Sequence, residues 1–124
     1  MRESHIRTPH EVVRGTTMDD FTIYDLERRV DARAASDPDL SYTRKLLDRG
    51  TAQCAKKLGE EAVETVLAAV AEDRDRLIGE AADLLYHLLV VLHSRGVTLA
   101  EVENALAERT GRSGLDEKAS RKKD

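Results

Sequence analysis

Between residues 51 and 94 the chain carries two long helical hydrophobic patterns, separated only by the polar run Glu72-Asp73-Arg74-Asp75. A link that short forces the two helices to fold back side by side, antiparallel. In the first pattern Ala55, Leu58, Ala62, Val66 and Ala69 recur at helical spacing, widened by Val63 and Val70. This predicts a helix from Thr51 to Ala71, capped by Thr51, with that stripe turned inward. In the second, Ile78, Ala81, Leu85, Leu88 and Leu92 form one stripe, and Leu84, Leu89, Val90 and Val91 add another. The prediction is a helix from about Asp75 to Ser94, stopped by Arg95 and Gly96 and buried on more than one side. In so small a chain the extra apolar face most simply meets a second subunit. Gly59, in mid-helix, costs about 1 kcal/mol relative to alanine. Its presence predicts a close helix crossing or room beside a ligand.

The rest of the chain agrees with a helical reading. Ile23, Leu26, Val30 and Ala34 predict a helix over about 22–35, broken by Ser36-Asp37-Pro38-Asp39. A short helix over Tyr42 to Asp48 follows, closed near Gly50. Thr98 and Glu101 form a capping box that opens a last helix, with Leu99, Val102 and Leu106 inward and Gly111 at its end. The apolar residues are 15 Leu, 15 Ala and 10 Val against one Phe, three Tyr and no Trp. Leu and Ala lose little side-chain freedom in a helix, and two prolines among 124 residues leave few turns for a β-sandwich or barrel. The expected fold class is all-α, a bundle of antiparallel helices completed by oligomerisation. Residues 1–20 are expected to be a leader, 21–111 the domain, and 112–124 a tail ordered on substrate or partner.

Charge narrows the function classes. The net charge of -4 and the lack of a basic stripe argue against nucleic-acid binding. Cys54, as the single cysteine, offers neither a disulfide nor a thiolate cluster. The apolar stretch from Ala81 to Leu92, interrupted by Asp83 and His87, reads as too short and polar to span a membrane. The amino terminus lacks the apolar core of a signal peptide. A cytoplasmic protein without membrane contact is expected.

The carboxylates are the sharpest feature. At 100° per residue, Glu60 and Glu64 lie about 40° apart and Glu61 and Glu64 about 60° apart, on one flank of the first long helix. Glu80 and Asp83 share a flank of the second, at a similar height from the link. Acidic residues on helices are ordinarily solvated. Two details set these apart: Gly59 sits beside the first group, and Asp83 interrupts an apolar run where a buried carboxylate needs a partner. Facing carboxylates repel unless cations neutralise them, and hard oxygen ligands at this density suit Mg²⁺.

The stretches KKLGEEAVETVLAA (Lys56 to Ala69) and EAADLLYHLLVVLHSRGVTLAEV (Glu80 to Val102) resemble the phosphoribosyl-ATP pyrophosphatases of histidine biosynthesis, members of the all-α nucleotide pyrophosphohydrolases. That superfamily's E-E-x-x-E and E-x-x-D pattern stands here as Glu60-Glu61-x-x-Glu64 and Glu80-x-x-Asp83. The likeness covers about Phe21 to Lys122, including SYTRKLLDRG and SGLDEKASR. It implies Mg²⁺-dependent hydrolysis of phosphoribosyl-ATP to phosphoribosyl-AMP and pyrophosphate by an ATP- and nucleotide-binding homo-oligomer, a dimer in its simplest form. By the family pattern Glu61, Glu64, Glu80 and Asp83 are the metal ligands. Glu60 is a further ligand or the base that orients the attacking water, and Glu60 and Glu64 are exchangeable in that role.

Lysines are needed for the triphosphate. Lys57, one turn before Glu60, is the first candidate, with Lys56 and Lys45 behind it; Lys118 and Arg121 are tail candidates. His87, four residues past Asp83, reads chiefly as a buried, hydrogen-bonded structural histidine. His93 suits the negative end of its helix, Tyr86 a subunit contact, and Cys54 an interior position. His5 and His10 carry no metal pattern, and Met18 is an alternative start. Two other readings remain: a housecleaning pyrophosphatase acting on a free nucleoside triphosphate, and a non-catalytic helical interaction module.

Overall fold

A computed structural model of the protein describes residues 20–111. His5, His10, Met18, Lys118 and Arg121 lie outside the described residues, as do the expected tail and all but the last residue of the expected leader. The described chain runs through α1 (Ile23–Ala34), α2 (Tyr42–Asp48), α3 (Thr51–Ala71), α4 (Arg74–Ser94) and α5 (Leu99–Thr110), with no strand among the described residues. The all-α expectation holds.

Local chemistry explains the helix boundaries. Thr22 caps α1 by accepting from the Asp25 backbone N–H, while the Asp25 carboxylate accepts from the Thr22 N–H. Thr98 and Glu101 do the same for α5. Asp73 caps α4, accepting from the Arg76 N–H at 2.9 Å. The α3 start corrects the sequence reading: Thr51 is not the cap. Gly50 is, at φ +96°, a conformation that suits glycine and lets α2 turn directly into α3. Thr51 instead donates its hydroxyl proton to Ser94 Oγ at 3.0 Å.

That bond joins the first residue of α3 to the last of α4, and Thr65 Oγ1 reaches the Glu80 carbonyl at 3.2 Å. The two long helices are therefore antiparallel along their length, as the short link requires. The core lies toward the Thr51–Ser94 end, where Val30, Leu46, Cys54, Leu89 and Val90 pack together with Ile23, Leu26, Leu47 and Leu92 around them. The half of the hairpin nearer the link projects from this core.

That projection overturns the inward stripe expected on α3. Cys54 and Ala68 are its buried residues. Ala55 and Ala69 are exposed, and Val63, Val66, Leu67 and Val70 stand 54–81% exposed. Ile78 and Leu85 of α4 are exposed too, and so is Leu106 of α5. Leu58 and Ala62 are half-buried, but the described chain leaves the rest of the stripe exposed. Gly59 is a second correction: a Cβ there meets nothing within 4 Å, so no close helix crossing explains it. By length and composition α4 does reach the dimensions of a membrane span, against the expectation for its apolar stretch. With Glu80 and Asp83 on it and α3 along its side, it is built as a bundle helix.

Candidate active site

The i, i+3 spacing of Glu61 and Glu64 sets both on the side of α3 that meets α4, and Glu80 comes up opposite from the first half of α4. Carboxylate oxygens of Glu61, Glu64 and Glu80 all lie within 4.8 Å of one another. Thr65 fixes the register beneath them. Its hydroxyl lies 2.8 Å from the Glu61 carbonyl and 3.2 Å from that of Glu80, sharing one proton between the two helices.

Glu80 is the unusual member. Its side chain is buried, and Oε1 has no hydrogen-bond partner. Oε2 meets Arg76 Nε at 3.3 Å, and the same guanidinium nitrogen holds Glu72 at 3.2 Å. Burial, then the charge of Glu64, pushes the Glu80 carboxyl above its ordinary range; Arg76 opposes this, and Glu61 and Asp83 add to it. A buried carboxylate oxygen with no proton donor, facing two further carboxylates, is left short of positive charge. A divalent cation with oxygen preference fits that donor set.

The other expected residues surround this trio. Asp83 is exposed and outside the 4.8 Å group, though its charge reaches Glu80. Glu60, also outside the group, pairs with Lys57 Nζ at 3.1 Å. That hydrogen bond, with the charge of Glu60, holds the Lys57 ammonium above the usual lysine range. Lys56 and Lys45 are exposed.

The aromatic and histidine positions differ in part from expectation. His87 is buried as expected, but its Nδ1 has no partner, so it is not the satisfied structural histidine foreseen. Tyr86 and Tyr42 meet its ring edge-on, at centroid distances of 4.9 and 6.4 Å. Burial, then the charge of Lys57, pushes His87 below its ordinary range, against Asp83 and Glu60. Tyr86 packs against the chain's own core and pairs its hydroxyl with Thr43. His93 Nδ1 pairs with Asp31 at 2.9 Å. Cys54 is fully buried, its thiol pushed up by desolvation, and its Sγ lies 3.5 Å from the Leu46 carbonyl.

Sequence reasoning missed Arg76, Thr65 and Tyr42. The i, i+4 spacing of Arg76 with Glu80, and of Thr65 with Glu61, was the available signal for the first two. Tyr42 had none, because it arrives from another helix.

The family model for phosphoribosyl-ATP pyrophosphohydrolase matches residues 23–110. Phosphoribosyl-ATP pyrophosphatase 1 of Rhodopseudomonas palustris is 65% identical over 104 residues, covering 84% of this chain and 97% of the relative. Its namesake in Bradyrhizobium diazoefficiens is 66% identical over 102 residues, 82% of this chain and 96% of the relative. The phosphoribosyl-ATP pyrophosphatase of Nitrobacter winogradskyi is 63% identical over 107 residues, 86% and 92% of the two chains. With its all-α fold and facing carboxylates, the chain belongs to the phosphoribosyl-ATP pyrophosphohydrolase family.

Proposed function

We propose that the protein hydrolyses phosphoribosyl-ATP to phosphoribosyl-AMP and pyrophosphate, the second step of histidine biosynthesis, in the cytoplasm and with Mg²⁺. The observation that carries this reading is the trio Glu61, Glu64 and Glu80, with the unpartnered oxygen of Glu80 buried among them. These three would hold the metal, with Asp83 completing the set. Bound there, Mg²⁺ supplies charge neutralisation for the phosphates and the leaving pyrophosphate.

In the reaction a water oxygen bonds to the α phosphorus, the bond from that phosphorus to the bridging oxygen breaks, and pyrophosphate departs with it. Glu60 stands outside the trio, which leaves it free to orient the water and accept its proton. Before substrate arrives, Lys57 Nζ holds its carboxylate at 3.1 Å beside the trio. On arrival of the triphosphate, Lys57 exchanges Glu60 for a phosphate oxygen; Lys56 and Lys45 add positive charge farther out. Arg76 steadies Glu80 by its second oxygen.

The working form is a homodimer. Support comes from Val63, Val66, Leu67 and Val70, one face of α3 at i, i+3, i+4 and i+7, joined by Ile78 and Leu85 of α4. Six exposed aliphatic side chains on one hairpin fit a second copy of the same face.

The test is pyrophosphate release with Mg²⁺ from phosphoribosyl-ATP beside ATP and dUTP, with Glu64→Ala as control. Release from phosphoribosyl-ATP alone, lost in the variant, is expected. Preference for a free triphosphate would move the protein to a housecleaning role. No release from any of the three would sink the enzymatic reading.

A further inference from the structure

A cavity of about 570 Å³ opens where α1, α2 and α4 meet, lined by Arg33, Leu40, Tyr42, Thr43 and Tyr86 among others. Its size is that of a small-molecule site. Its lining is mixed: one guanidinium, five hydroxyls and an exposed leucine. Among the described residues no carboxylate pairs with Arg33, whose charge reaches the Tyr86 phenol.

His87 stands between the tyrosines of this cavity and the charged side chains beside the carboxylate site. His87 lies seven residues after Glu80 on α4, within about 20° of the same face. Its ring is flanked by Tyr42 and Tyr86, two of the cavity's walls. On the other side the charges of Asp83, Glu60 and Lys57 all reach His87. Tyr86 stands six residues beyond Glu80, about 9 Å along the helix axis. That is close to the span of a nucleoside.

We infer that this cavity is the subsite for the sugar-phosphate end of the substrate, with Arg33 as the anion partner of its phosphate monoester. The inference rests on the proposed substrate, which carries a triphosphate at one end and a phosphorylated ribose at the other. The two ends need opposite surroundings. The triphosphate meets carboxylates through a metal, whereas a second phosphate placed there would meet a surplus of negative charge. Arg33 offers a planar donor fork suited to phosphate, and the exposed Tyr42 hydroxyl, with the Thr43–Tyr86 hydroxyl pair behind it, suits a sugar. His87 Nδ1, buried and unpartnered between the two regions, is placed for a polar atom of the intervening nucleoside. On this reading the cavity separates phosphoribosyl-ATP from ATP, since only the former fills it.

The test pairs steady-state kinetics of Arg33→Gln and Arg33→Lys with calorimetric binding of ribose 5-phosphate to the same proteins. Arg33 is exposed, so both variants are expected to fold, and their melting curves check it. For Arg33→Gln the expectation is a KM for phosphoribosyl-ATP raised about 10- to 100-fold, the loss of one charge-assisted hydrogen-bonding partner, with kcat little changed. Arg33→Lys recovers part of the loss, and ribose 5-phosphate binds the wild type but not Arg33→Gln. An unchanged KM in Arg33→Gln, or a fall confined to kcat, would overturn the assignment. Should the wild type fail to hydrolyse phosphoribosyl-ATP, the substrate reading fails by itself. Ribose 5-phosphate binding then decides the subsite alone: binding lost in Arg33→Gln supports it, and no binding to the wild type refutes it.

Discussion

Val66→Asp tests whether the exposed hairpin face is a subunit interface. Val63, Val66, Leu67, Val70, Ile78 and Leu85 are 45–81% exposed. Full burial of such a side chain is worth roughly 1.5–3 kcal/mol, so covering the exposed part gives roughly 1–2 kcal/mol each. Six of them in each of two copies supply on the order of 12–24 kcal/mol, against an association cost of roughly 4–15 kcal/mol. The midpoints, about 18 against about 10 kcal/mol, leave about 8 kcal/mol, a dimer of micromolar affinity. Val66→Asp removes about 1–2 kcal/mol of apolar burial per copy and adds a carboxylate that must be desolvated at further cost. Together these reach about 4–5 kcal/mol per dimer, a weakening on the order of 1,000-fold or more. On the helix, Val66 points well away from the flank that carries Glu61 and Glu64, so the trio itself is untouched. Sedimentation velocity across a concentration series reads the result directly. A wild type that stays monomeric at high concentration, or a Val66→Asp protein that dimerises as tightly as the wild type, would refute the reasoning.

Glu80 carries a pH prediction. Its folded carboxyl is raised above the unfolded value, so near and above the ordinary glutamate range the native state holds a proton that the unfolded chain has released. Metal-free stability should therefore fall as pH rises from that range through the folded pKa. Glu80→Gln should flatten the slope, as should saturating Mg²⁺, and melting temperatures of wild type and variant that track each other with pH would contradict this. Thr65→Val removes the hydroxyl shared between α3 and α4 and should cost about 0.5–1.5 kcal/mol in urea unfolding, with a fall in kcat as Glu61 and Glu80 lose their register. Full retention of both would show that packing alone sets the register. Thr98→Ala breaks the α5 capping box and should cost about 1 kcal/mol, read as a lower unfolding midpoint without loss of turnover.

Much of the architecture was legible in the chain because its signals are local. Thr98 and Glu101 mark a helix start by their own chemistry, and the four-residue polar link dictates an antiparallel hairpin whatever surrounds it. Glu61, Glu64 and Glu80 were visible for the same reason: helical spacing sets the flank, and distance from the link sets the height. What periodicity does not encode is the identity of the surface that covers an apolar stripe. Val63, Val66 and Val70 show the correct spacing for burial, yet nothing in the described chain lies over them. Glycines mislead in a related way. Gly50 is needed for its positive φ, which no spacing rule announces, whereas Gly59, conspicuous in mid-helix, faces open space. Tyr42 and the cavity beside it depend on how α2 docks against α4, a tertiary fact with no period in the sequence.

The central claim is that Glu61, Glu64 and Glu80 form one cation site on which turnover depends. Calorimetric titration of Mg²⁺ or Mn²⁺ into the wild type and into Glu61→Gln, Glu64→Gln and Glu80→Gln tests it most directly, with pyrophosphate release followed on the same samples. The expected result is a binding isotherm in the wild type that weakens at least tenfold in each variant, together with loss of turnover. Cation binding that survives all three substitutions unchanged would contradict it.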